Sequence, residues 1–297
     1  MTGVLLVDKP AGFTSFDVIA KLRGVTHTRK IGHSGTLDPM ATGVLPLFLG
    51  GATKACSVLQ NEDKRYVAGI KFGLTTDTQD ITGKTLSETP SCVSEEEFRE
   101  ALSSFVGDIF QTPPMYSAVK VGGRPLYDLA RKGREVERAQ REIKVYFISV
   151  LKFDAGAQTA EIEVHCGKGT YVRTLIADMG AALGCGAVMS SLRRTEAGGF
   201  SIDECLTLDQ ICALAAEGRL EEALLPTERL FEGLPRLNLC DYDARLYQNG
   251  VPLELKKRGW SGISGDIAVY GSGKLLGISY MDEEAGELRL RKMLNLE

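Results

Sequence analysis

The stretch GHSGTLDPMATG, residues 32–43, is the part of this 297-residue sequence that most constrains its fold and its chemistry. It is polar, rich in glycine and without helical or strand periodicity, and the apolar run at residues 44–49 predicts a buried strand after it. The proline after Asp38 disfavours helical geometry at that residue, so we expect Asp38 to lie in a shaped loop before the strand. Catalytic groups concentrate in such loops, although an Asp before Pro also commonly caps a turn.

Outward from this stretch, helix and strand signals are interleaved along the chain. Residues 26–39 are expected to form a loop, and no βαβ repeat with a nucleotide-binding glycine turn is present. Strands are predicted at residues 3–8, 44–49, 65–72, 143–147 and 162–164. Helices are predicted after Thr14 or Ser15, after Ser94 with Glu97 as its capping box, at residues 125–132, after Thr170 and from Thr207.

The texture of the sequence changes after Pro235. Short strand-like pieces there alternate with turn signals such as Asn249-Gly250 and Gly271-Ser272-Gly273. This pattern is typical of a small β-barrel or sandwich of about sixty residues. We therefore predict two domains, residues 1–235 and residues 236–297, which agrees with the length of the chain.

The charges are unevenly distributed, although the net charge is only −4. Residues 112–152 contain nine Lys or Arg against four Asp or Glu, a balance of +5, and residues 201–240 contain three against eight, a balance of −5. A basic segment beside an acidic one suits a protein that binds a polyanion on one face. A solvated, charged surface without a partner is the alternative.

The cysteines and the hydropathy pattern argue against several classes of protein. The seven cysteines are scattered without CxxC spacing, and the three histidines form no ligand cluster in the sequence, so no metal site is expected. Free thiols and the lack of a secretory signal indicate a reducing cytoplasm. No apolar run approaches the roughly 18–20 residues that span a bilayer, so no membrane association is expected.

The stretch at residues 32–43 also resembles the signature of the TruB family of tRNA pseudouridine synthases. Further segments similar to that family follow one another in the family's order, and together they cover roughly residues 3–210. Met40 departs mildly from the family pattern, which more often has Leu or Phe there. The segments are LVDKPAG (6–12), KRY (64–66), TDTQD (76–80), PPMYSAVK (113–120), GTYVRTL (169–175) and LRRT (192–195).

The resemblance implies both a fold and an activity. The fold is α+β, with a pseudouridine-synthase-type core built on a mixed, mainly antiparallel sheet flanked by helices, followed by a small C-terminal β-barrel similar to a PUA domain. The activity is the isomerisation of uridine to pseudouridine at position 55 in the T-loop of tRNA, by flipping of the base. The resemblance implies no cofactor, no obligate protein partner, a monomer that binds the T-arm, and a cytoplasmic location.

The resemblance assigns three catalytic residues. Asp38 is the carboxylate that attacks the sugar or the base, or assists elimination, and Arg173 is the cation that pairs with it and favours its ionised form. From the sequence alone, the alternative prediction for Arg173 is a side chain exposed to water, because it falls in the first turn of a helix, where the helix dipole disfavours a cation. Tyr66 stacks on the target base and takes part in proton transfer, whereas a tyrosine at the start of a strand is more commonly part of the core.

The resemblance also assigns residues that bind the RNA. His33 holds the flipped-out arrangement by stacking and polar contact, although a histidine in a loop is usually a surface residue. Tyr171 and Leu192 line the uridine pocket. Lys9 and Pro10 form a structural turn beneath the active site. The basic segment, residues 112–152, contacts the RNA backbone, and its predicted phosphate-binding side chains are Lys120, Arg124, Arg131, Lys132, Arg134, Arg138 and Arg141.

Three other readings of the sequence lead to different functions. A hydrolase that uses Cys166 with His165 is disfavoured, because adjacent residues on a strand point to opposite faces. A non-catalytic RNA-binding or RNA-folding protein would use the basic segment and the C-terminal barrel equally well, but it would not require Asp38, Tyr66 and Arg173 together. Guide-RNA-dependent synthases of the dyskerin type share the central motifs, and the start of this chain almost at its first strand favours the stand-alone bacterial type.

Overall fold

The computed structural model describes residues 1–59 and 62–294. The strands are β1 (Gly3–Lys9), β2 (Ile31–His33), β3 (Thr42–Leu49), β4 (Lys64–Phe72), β5 (Leu74–Thr76), β6 (Thr85–Glu88), β7 (Gly107–Gln111), β8 (Lys120–Val121), β9 (Arg124–Pro125), β10 (Arg141–Asp154), β11 (Thr159–Cys166), β12 (Ala187–Ala197), β13 (Phe200–Ser201), β14 (Leu206–Thr207), β15 (Arg236–Leu239), β16 (Leu253–Glu254), β17 (Asp266–Gly271), β18 (Lys274–Asp282) and β19 (Glu287–Met293). The α-helices are α1 (Ser15–Thr26), α2 (Glu95–Leu102), α3 (Leu126–Ala130), α4 (Val172–Ala182), α5 (Leu208–Ala216), α6 (Asp241–Gln248) and α7 (Leu255–Arg258). Shorter 3₁₀ helices span Gly50–Ser57, Ser103–Phe105, Ile202–Glu204, Leu220–Ala223 and Thr227–Phe231.

The described residues group into two units. The first unit comprises those within Met1–Pro39, Val44–Asn61 and Asp203–Glu297, and the second comprises those within Met40–Gly43 and Glu62–Ile202. The predicted division into residues 1–235 and 236–297 follows the composition of the sequence and stays a prediction. Among the described residues, no helix combines the length and the apolar character required to cross a membrane.

The second unit is built on antiparallel strands in the order β12-β4-β11-β10-β7. The first two residues of β3, Thr42 and Gly43, pair in parallel with Arg193 and Arg194 of β12. Side chains of a strand alternate between its two faces, and in β11 every second residue from Ala160 to Cys166 is buried. The prediction of a mixed, mainly antiparallel sheet with flanking helices is confirmed.

Helices α2 and α4 cover the buried face of this unit. Helix α4 packs on β12 and β4, and α2 contacts both α4 and β10. Helix α2 begins at the predicted capping box, in which Ser94 Oγ accepts the Glu97 N–H and the Glu97 carboxylate accepts the Ser94 N–H. Its Phe98 meets Phe72 of β4 edge to face, with ring centroids 5.2 Å apart.

In the first unit, β1 pairs in parallel with β14, and β2 pairs in antiparallel with β3. Helix α1 starts at a capping box formed by Thr14 and Asp17 and buries Val18, Ile19 and Leu22 against β1 and β3. The predicted loop at residues 26–39 contains Thr26, the last residue of α1, and the three residues of β2, so that prediction was wrong for four residues. The strand forms because residues 31–33 pair with the end of β3, a contact that local sequence does not signal.

The C-terminal part of the first unit is a curled, five-stranded half-barrel with the order β15-β17-β18-β19-β16. It has its own apolar core, which includes Leu239, Val269 and Leu276. A second apolar group joins Ala268 and Ile278 of this sheet to Ala55 of the 3₁₀ helix Gly50–Ser57. The predicted small C-terminal β-structure is confirmed, whereas helix α6 was not predicted. Residues 295–297 of the predicted domain lie outside the described residues.

Candidate active site

The loop that contains Asp38 is held by hydrogen bonds from the first unit. Immediately before Asp38, the Leu37 N–H donates to Ser15 Oγ at the start of α1, over 2.9 Å, and Leu37 itself is buried. His33 ends β2 on the same loop, and its Nδ1 accepts the Gly35 N–H at 3.2 Å. Asp38 and His33 are both half-buried. The loop therefore presents both predicted site residues from a fixed backbone.

Lys9 anchors the other side of this loop. Its side chain is fully buried at the end of β1, and its ammonium donates to the carbonyls of Pro10 (2.9 Å), Phe13 (2.6 Å) and Pro39 (3.3 Å). The Gly12 N–H also donates to Pro39 O, at 2.8 Å. Burial of an ammonium is costly unless it is hydrogen-bonded, and here three carbonyls accept its hydrogen bonds. The backbone is thus fixed on both sides of Asp38.

Tyr66 and Leu192 lie in the second unit on neighbouring strands. In the β4–β12 pairing, Tyr66 is opposite Arg194 and Leu192 is opposite Ala68. Paired residues point to the same side of a sheet, and residues two apart share a face, so all four side chains project to one side. Tyr66 is 6% exposed and Leu192 is 8% exposed. These two predicted site residues therefore lie on the same face of the sheet, and both are buried.

Helix α4 carries Tyr171 and Arg173 at its beginning. The helix starts at Val172 with Tyr171 as its N-cap residue, and no side chain of the N-cap bonds to the first turn. The prediction that Thr170 caps this helix was wrong: its hydroxyl instead donates to Gly167 O at 3.1 Å. The backbone of Tyr171 is bonded by Gln111, whose Oε1 accepts the Tyr171 N–H at 2.8 Å and whose Nε2 donates to Tyr171 O at 3.1 Å.

Arg173 is buried in the first turn of α4, with 4% of its surface exposed. A cation at this end of a helix opposes the helix dipole, so it requires compensation from nearby acceptors. Its Nη1 donates to Thr78 O at 2.9 Å, its Nη2 donates to Tyr116 O at 2.8 Å, and the Asp80 carboxylate lies 3.9 Å away. Arg173 is therefore not exposed to water. Its expected pairing with Asp38 stays a prediction.

Asp80 is a residue whose importance the sequence did not reveal, although it ends the TDTQD segment. It is 5% exposed, and its Oδ1 accepts from the Thr78 hydroxyl (2.9 Å), the Thr82 hydroxyl (2.6 Å) and the Thr82 N–H (2.9 Å). These bonds fold the segment into a tight turn beside Arg173. The sequence feature that could have identified Asp80 is the presence of Thr78 and Thr82 two residues to either side of it.

The segment that follows Asp38 and Pro39 in the chain belongs to the second unit. Gly43 has a φ of +105°, and a Cβ built on it would lie 2.1 Å from the backbone oxygen of Arg194. Only glycine permits this approach of two backbones. The neighbouring Thr42 hydroxyl accepts a hydrogen bond from Arg193 Nη1 at 3.3 Å. Residues 42 and 43 are therefore fixed against β12, the strand that carries Leu192.

The basic segment, residues 112–152, forms the β8–β9 hairpin, α3 and β10. Six of its seven predicted phosphate-binding side chains are exposed: Lys120, Arg124, Arg131, Lys132, Arg134 and Arg141. Arg138 differs, because its side chain is 21% exposed, pairs with Glu135 at 3.2 Å and donates to Pro113 O at 3.2 Å. Its guanidinium is thus bonded within the segment, and its contact with phosphate stays a prediction.

The Cys166–His165 alternative finds no support in the geometry. Cys166 is 1% exposed at the end of β11, and burial raises the pKa of its thiol to about 11. A thiol with that pKa is protonated near neutral pH and is a poor nucleophile. His165 stacks on Tyr146, with ring centroids 4.6 Å apart. Among residues 1–59 and 62–294, no three His, Cys, Asp or Glu side chains lie together as a metal site would require.

Comparison with known proteins links this geometry to a family. Residues 23–172 match the family described as "TruB family pseudouridylate synthase (N terminal domain)", and residues 173–232 match "tRNA pseudouridylate synthase B C-terminal domain". The chain is 44% identical over 286 residues to tRNA pseudouridine synthase B of Clostridium tetani, covering 96% of this chain and 97% of the relative. It is 42% identical over 301 residues to the protein of that name from Ralstonia nicotianae, covering 99% and 94%. A chain in the crystal structure of a Cbf5-Nop10-Gar1 complex matches with a TM-score of 0.75 and 28% identity, covering 98% of this chain and 84% of that one.

Proposed function

The chain belongs to the TruB family of pseudouridylate synthases and is an isomerase, and we propose from this premise that it converts uridine 55 in the T-loop of tRNA into pseudouridine. The observation that carries the proposal is the likeness, over nearly the whole chain, to relatives named tRNA pseudouridine synthase B. The segments that contain Asp38, Tyr66 and Arg173 all fall within the matched region.

The reaction rearranges one nucleotide without a net change in its atoms. The bond between N1 of uracil and C1′ of ribose breaks, the base turns, and C5 forms the new bond to C1′. C5 loses its proton and N1 gains one. A carboxylate serves this chemistry by adding to the sugar or the base, or by assisting elimination, and no redox partner or cofactor takes part.

Each proposed catalytic residue has a chemical task in this scheme. Asp38 supplies the carboxylate from its fixed loop. Tyr66 offers an aromatic face for the flipped base and a phenol for proton transfer, and Leu192 extends the apolar wall that excludes water. Arg173 supplies a cation that is held rigidly by backbone carbonyls. Tyr171 completes the pocket and His33 holds the RNA in its opened form.

The remaining parts of the chain are proposed to bind the tRNA. The exposed cations of the basic segment contact phosphates of the T-arm, which provides affinity that depends on salt but not on sequence. Residues 236–297 act as a PUA-like RNA-binding domain. The enzyme works in the cytoplasm as a monomer, without an obligate protein partner.

Tritium release from tRNA tests the activity. Because C5 loses its hydrogen in the reaction, a transcript made with [5-³H]uridine releases tritium only when a uridine is isomerised. We expect the purified wild-type protein to release tritium and Asp38→Asn to bind the same tRNA without releasing it. Turnover by Asp38→Asn at the wild-type rate would remove Asp38 from the mechanism. Binding without turnover by the wild type would support the non-catalytic RNA-binding alternative.

A second transcript tests the position. Replacing uridine 55 by cytidine is expected to abolish tritium release, and an isolated T-arm stem-loop is expected to remain a substrate. Release from the cytidine transcript at the wild-type rate would show that another uridine is the target.

A further inference from the structure

Gln111 contacts the first turn of α4 through an arrangement that we call the amide bracket, formed by the Gln111 side chain and the Tyr171 backbone. Gln111 is the last residue of β7 and is 3% exposed. Its Oε1 accepts the Tyr171 N–H at 2.8 Å, and its Nε2 donates to Tyr171 O at 3.1 Å. One side-chain amide therefore satisfies both backbone groups of a residue sixty positions away.

The amide bracket lies where the helix lacks other support. The N-cap residue Tyr171 provides no side-chain cap, and its carbonyl accepts both the Leu175 N–H (3.0 Å) and Gln111 Nε2. Both lone pairs of that carbonyl are thus used, one for the helix and one for the bracket. The position of Tyr171, and with it the start of α4, is set by Gln111 as well as by the helix itself.

A second contact ties the same stretch of chain to the same helical turn. Five residues after Gln111, Tyr116 O accepts the hydrogen bond from Arg173 Nη2 at 2.8 Å. Residues 111–116 are therefore bonded at one end to the backbone of Tyr171 and at the other to the side chain of Arg173. These residues also lead directly into the β8–β9 hairpin of the basic segment. Displacement of Gln111 would disturb both ends together.

We propose that Gln111 is a positioning residue for the reaction: its amide bracket fixes Tyr171 and the Arg173 guanidinium in the orientation that receives the flipped uridine. The proposal rests on the proposed function, because it takes Tyr171 and Arg173 as parts of the uridine site. Gln111 itself touches neither the substrate nor the reacting atoms.

The chemistry of the side chain explains why glutamine is required. A primary amide presents one acceptor and one donor side by side, which matches a backbone N–H and C=O. Glutamate at this position would keep an acceptor for the Tyr171 N–H but would place a second oxygen against Tyr171 O. Methionine would preserve the length and volume and would make neither hydrogen bond. Gln111→Glu removes half of the bracket, and Gln111→Met removes all of it.

The same unit contains a matched control. Gln158 brackets the backbone of Val93 in the same way: its Oε1 accepts the Val93 N–H at 2.9 Å and its Nε2 donates to Val93 O at 3.1 Å. Gln158 lies on the turn between β10 and β11, and Val93 lies just before α2. Gln158 Nε2 also donates to Ala155 O at 2.8 Å, so Gln158→Met removes the same kind of bracket together with one further hydrogen bond, and none of these bonds involves α4.

The test compares single-turnover rate constants of the full-length variants at saturating enzyme, with the Kd for tRNA and the Tm measured in parallel. We expect Gln111→Met to lower the rate constant by about 10- to 100-fold, since small misplacements of catalytic groups have effects of this size. Its Kd should change by no more than about twofold, since the lost interaction serves the transition state rather than tRNA binding. Gln158→Met should lower the Tm at least as much, because it loses three hydrogen bonds where Gln111→Met loses two, and it should leave the rate constant unchanged. Gln111→Glu provides the same comparison should the methionine variant fail to fold.

Two outcomes would overturn the proposal: a rate constant for both Gln111 variants equal to that of Gln158→Met, or a fall in rate explained entirely by weaker tRNA binding. Hydrogen exchange separates this inference from the proposed function. Loss of the bracket should accelerate exchange of the Tyr171 amide without affecting that of Val93, whatever reaction the enzyme catalyses. Absence of tritium release by the wild type would refute the function alone, whereas unchanged Tyr171 exchange in Gln111→Met would refute the bracket.

Discussion

Replacing Asp80 by Asn and Arg173 by Met, singly and together, measures the interaction free energy between these side chains in a double-mutant cycle. Their closest nitrogen and oxygen atoms are 3.9 Å apart, and the side chains are only 7% and 5% exposed. With an effective dielectric constant of about 20, two unit charges at that distance attract by about 4 kcal/mol. Measured interaction energies between contacting groups run from about 0.5 to 3 kcal/mol, so we expect about 2–3 kcal/mol here.

Urea denaturation followed by circular dichroism provides the free energies of unfolding for this cycle. The matched control is the pair formed by Glu95 and Arg99 of α2, which are closer, at 2.6 Å, but whose side chains are 51% and 53% exposed. Exposed pairs of this spacing contribute about 0.3–0.5 kcal/mol, because water and salt screen them. We therefore expect the longer, buried pair to show the larger interaction energy.

An interaction energy for Asp80 and Arg173 no larger than that of the control would contradict this reasoning. It would mean that the carbonyls of Thr78 and Tyr116 already compensate the guanidinium, and that Asp80 serves only to form its own turn. The Asp80→Asn variant alone would then lose stability without any dependence on the presence of Arg173.

Two further predictions follow from the second unit. Arg131→Glu combined with Arg134→Glu should make the slope of log K against log salt for tRNA binding shallower by about 1.4–1.8, since each lost phosphate contact accounts for about 0.7–0.9. The double variant Arg131→Lys with Arg134→Lys preserves both charges and should keep the wild-type slope. An unchanged slope in the glutamate double variant would exclude phosphate contacts by these two residues. Gly43→Ala should lower the free energy of unfolding by at least about 3 kcal/mol, because its Cβ would collide with the Arg194 backbone in addition to adopting a positive φ. Gly184→Ala is the control, because Gly184 has a φ of +72° with open space around it; it should lose only the cost of the positive φ, about 1–2 kcal/mol. Equal losses of unfolding free energy at both positions would refute the collision.

Local signals predicted the parts of the fold that short-range physics determines. Helix starts were predicted at Thr14 or Ser15, at Ser94 and at Thr207. In the structure Thr14, Ser94 and Thr207 each form a capping box with the residue three positions later. These boxes satisfy backbone N–H groups within one turn, so their residues are close in the sequence as well as in space. The alternation in β11 was equally visible, because a strand with one buried face repeats every two residues.

The missed elements depend on partners that are distant in the sequence. Strand β2 is three residues long and exists because it pairs with β3. Helix α6 buries Ala244 and Tyr247 at helical spacing, but its eight residues lie among turn signals that favoured strands. Thr170 is a residue type that commonly caps helices, but its hydroxyl donates to Gly167 O and does not cap α4. Propensity alone does not decide between such competing acceptors.

The candidate site shows the same division. Asp38, Tyr66 and Arg173 could be proposed because the motifs around them are specific. The groups that hold Arg173 and Tyr171 could not be predicted from the sequence. Gln111 is sixty positions from Tyr171, and Thr78 is ninety-five positions from Arg173. An isolated glutamine at the end of a short strand has no pattern of its own. Only the folded chain identifies which backbone it will bond to.

Because Lys9 is buried, its chemical modification can report on opening of the loop that contains Asp38. Its amine has no exposed surface and is engaged by three carbonyls, one of them the carbonyl of Pro39 next to Asp38. Acylating reagents, which modify surface lysines within minutes, reach this amine only when the loop detaches from the end of β1. The rate at which Lys9 is acylated therefore measures how often the loop that contains Asp38 opens, and a ligand that closes the loop will slow it.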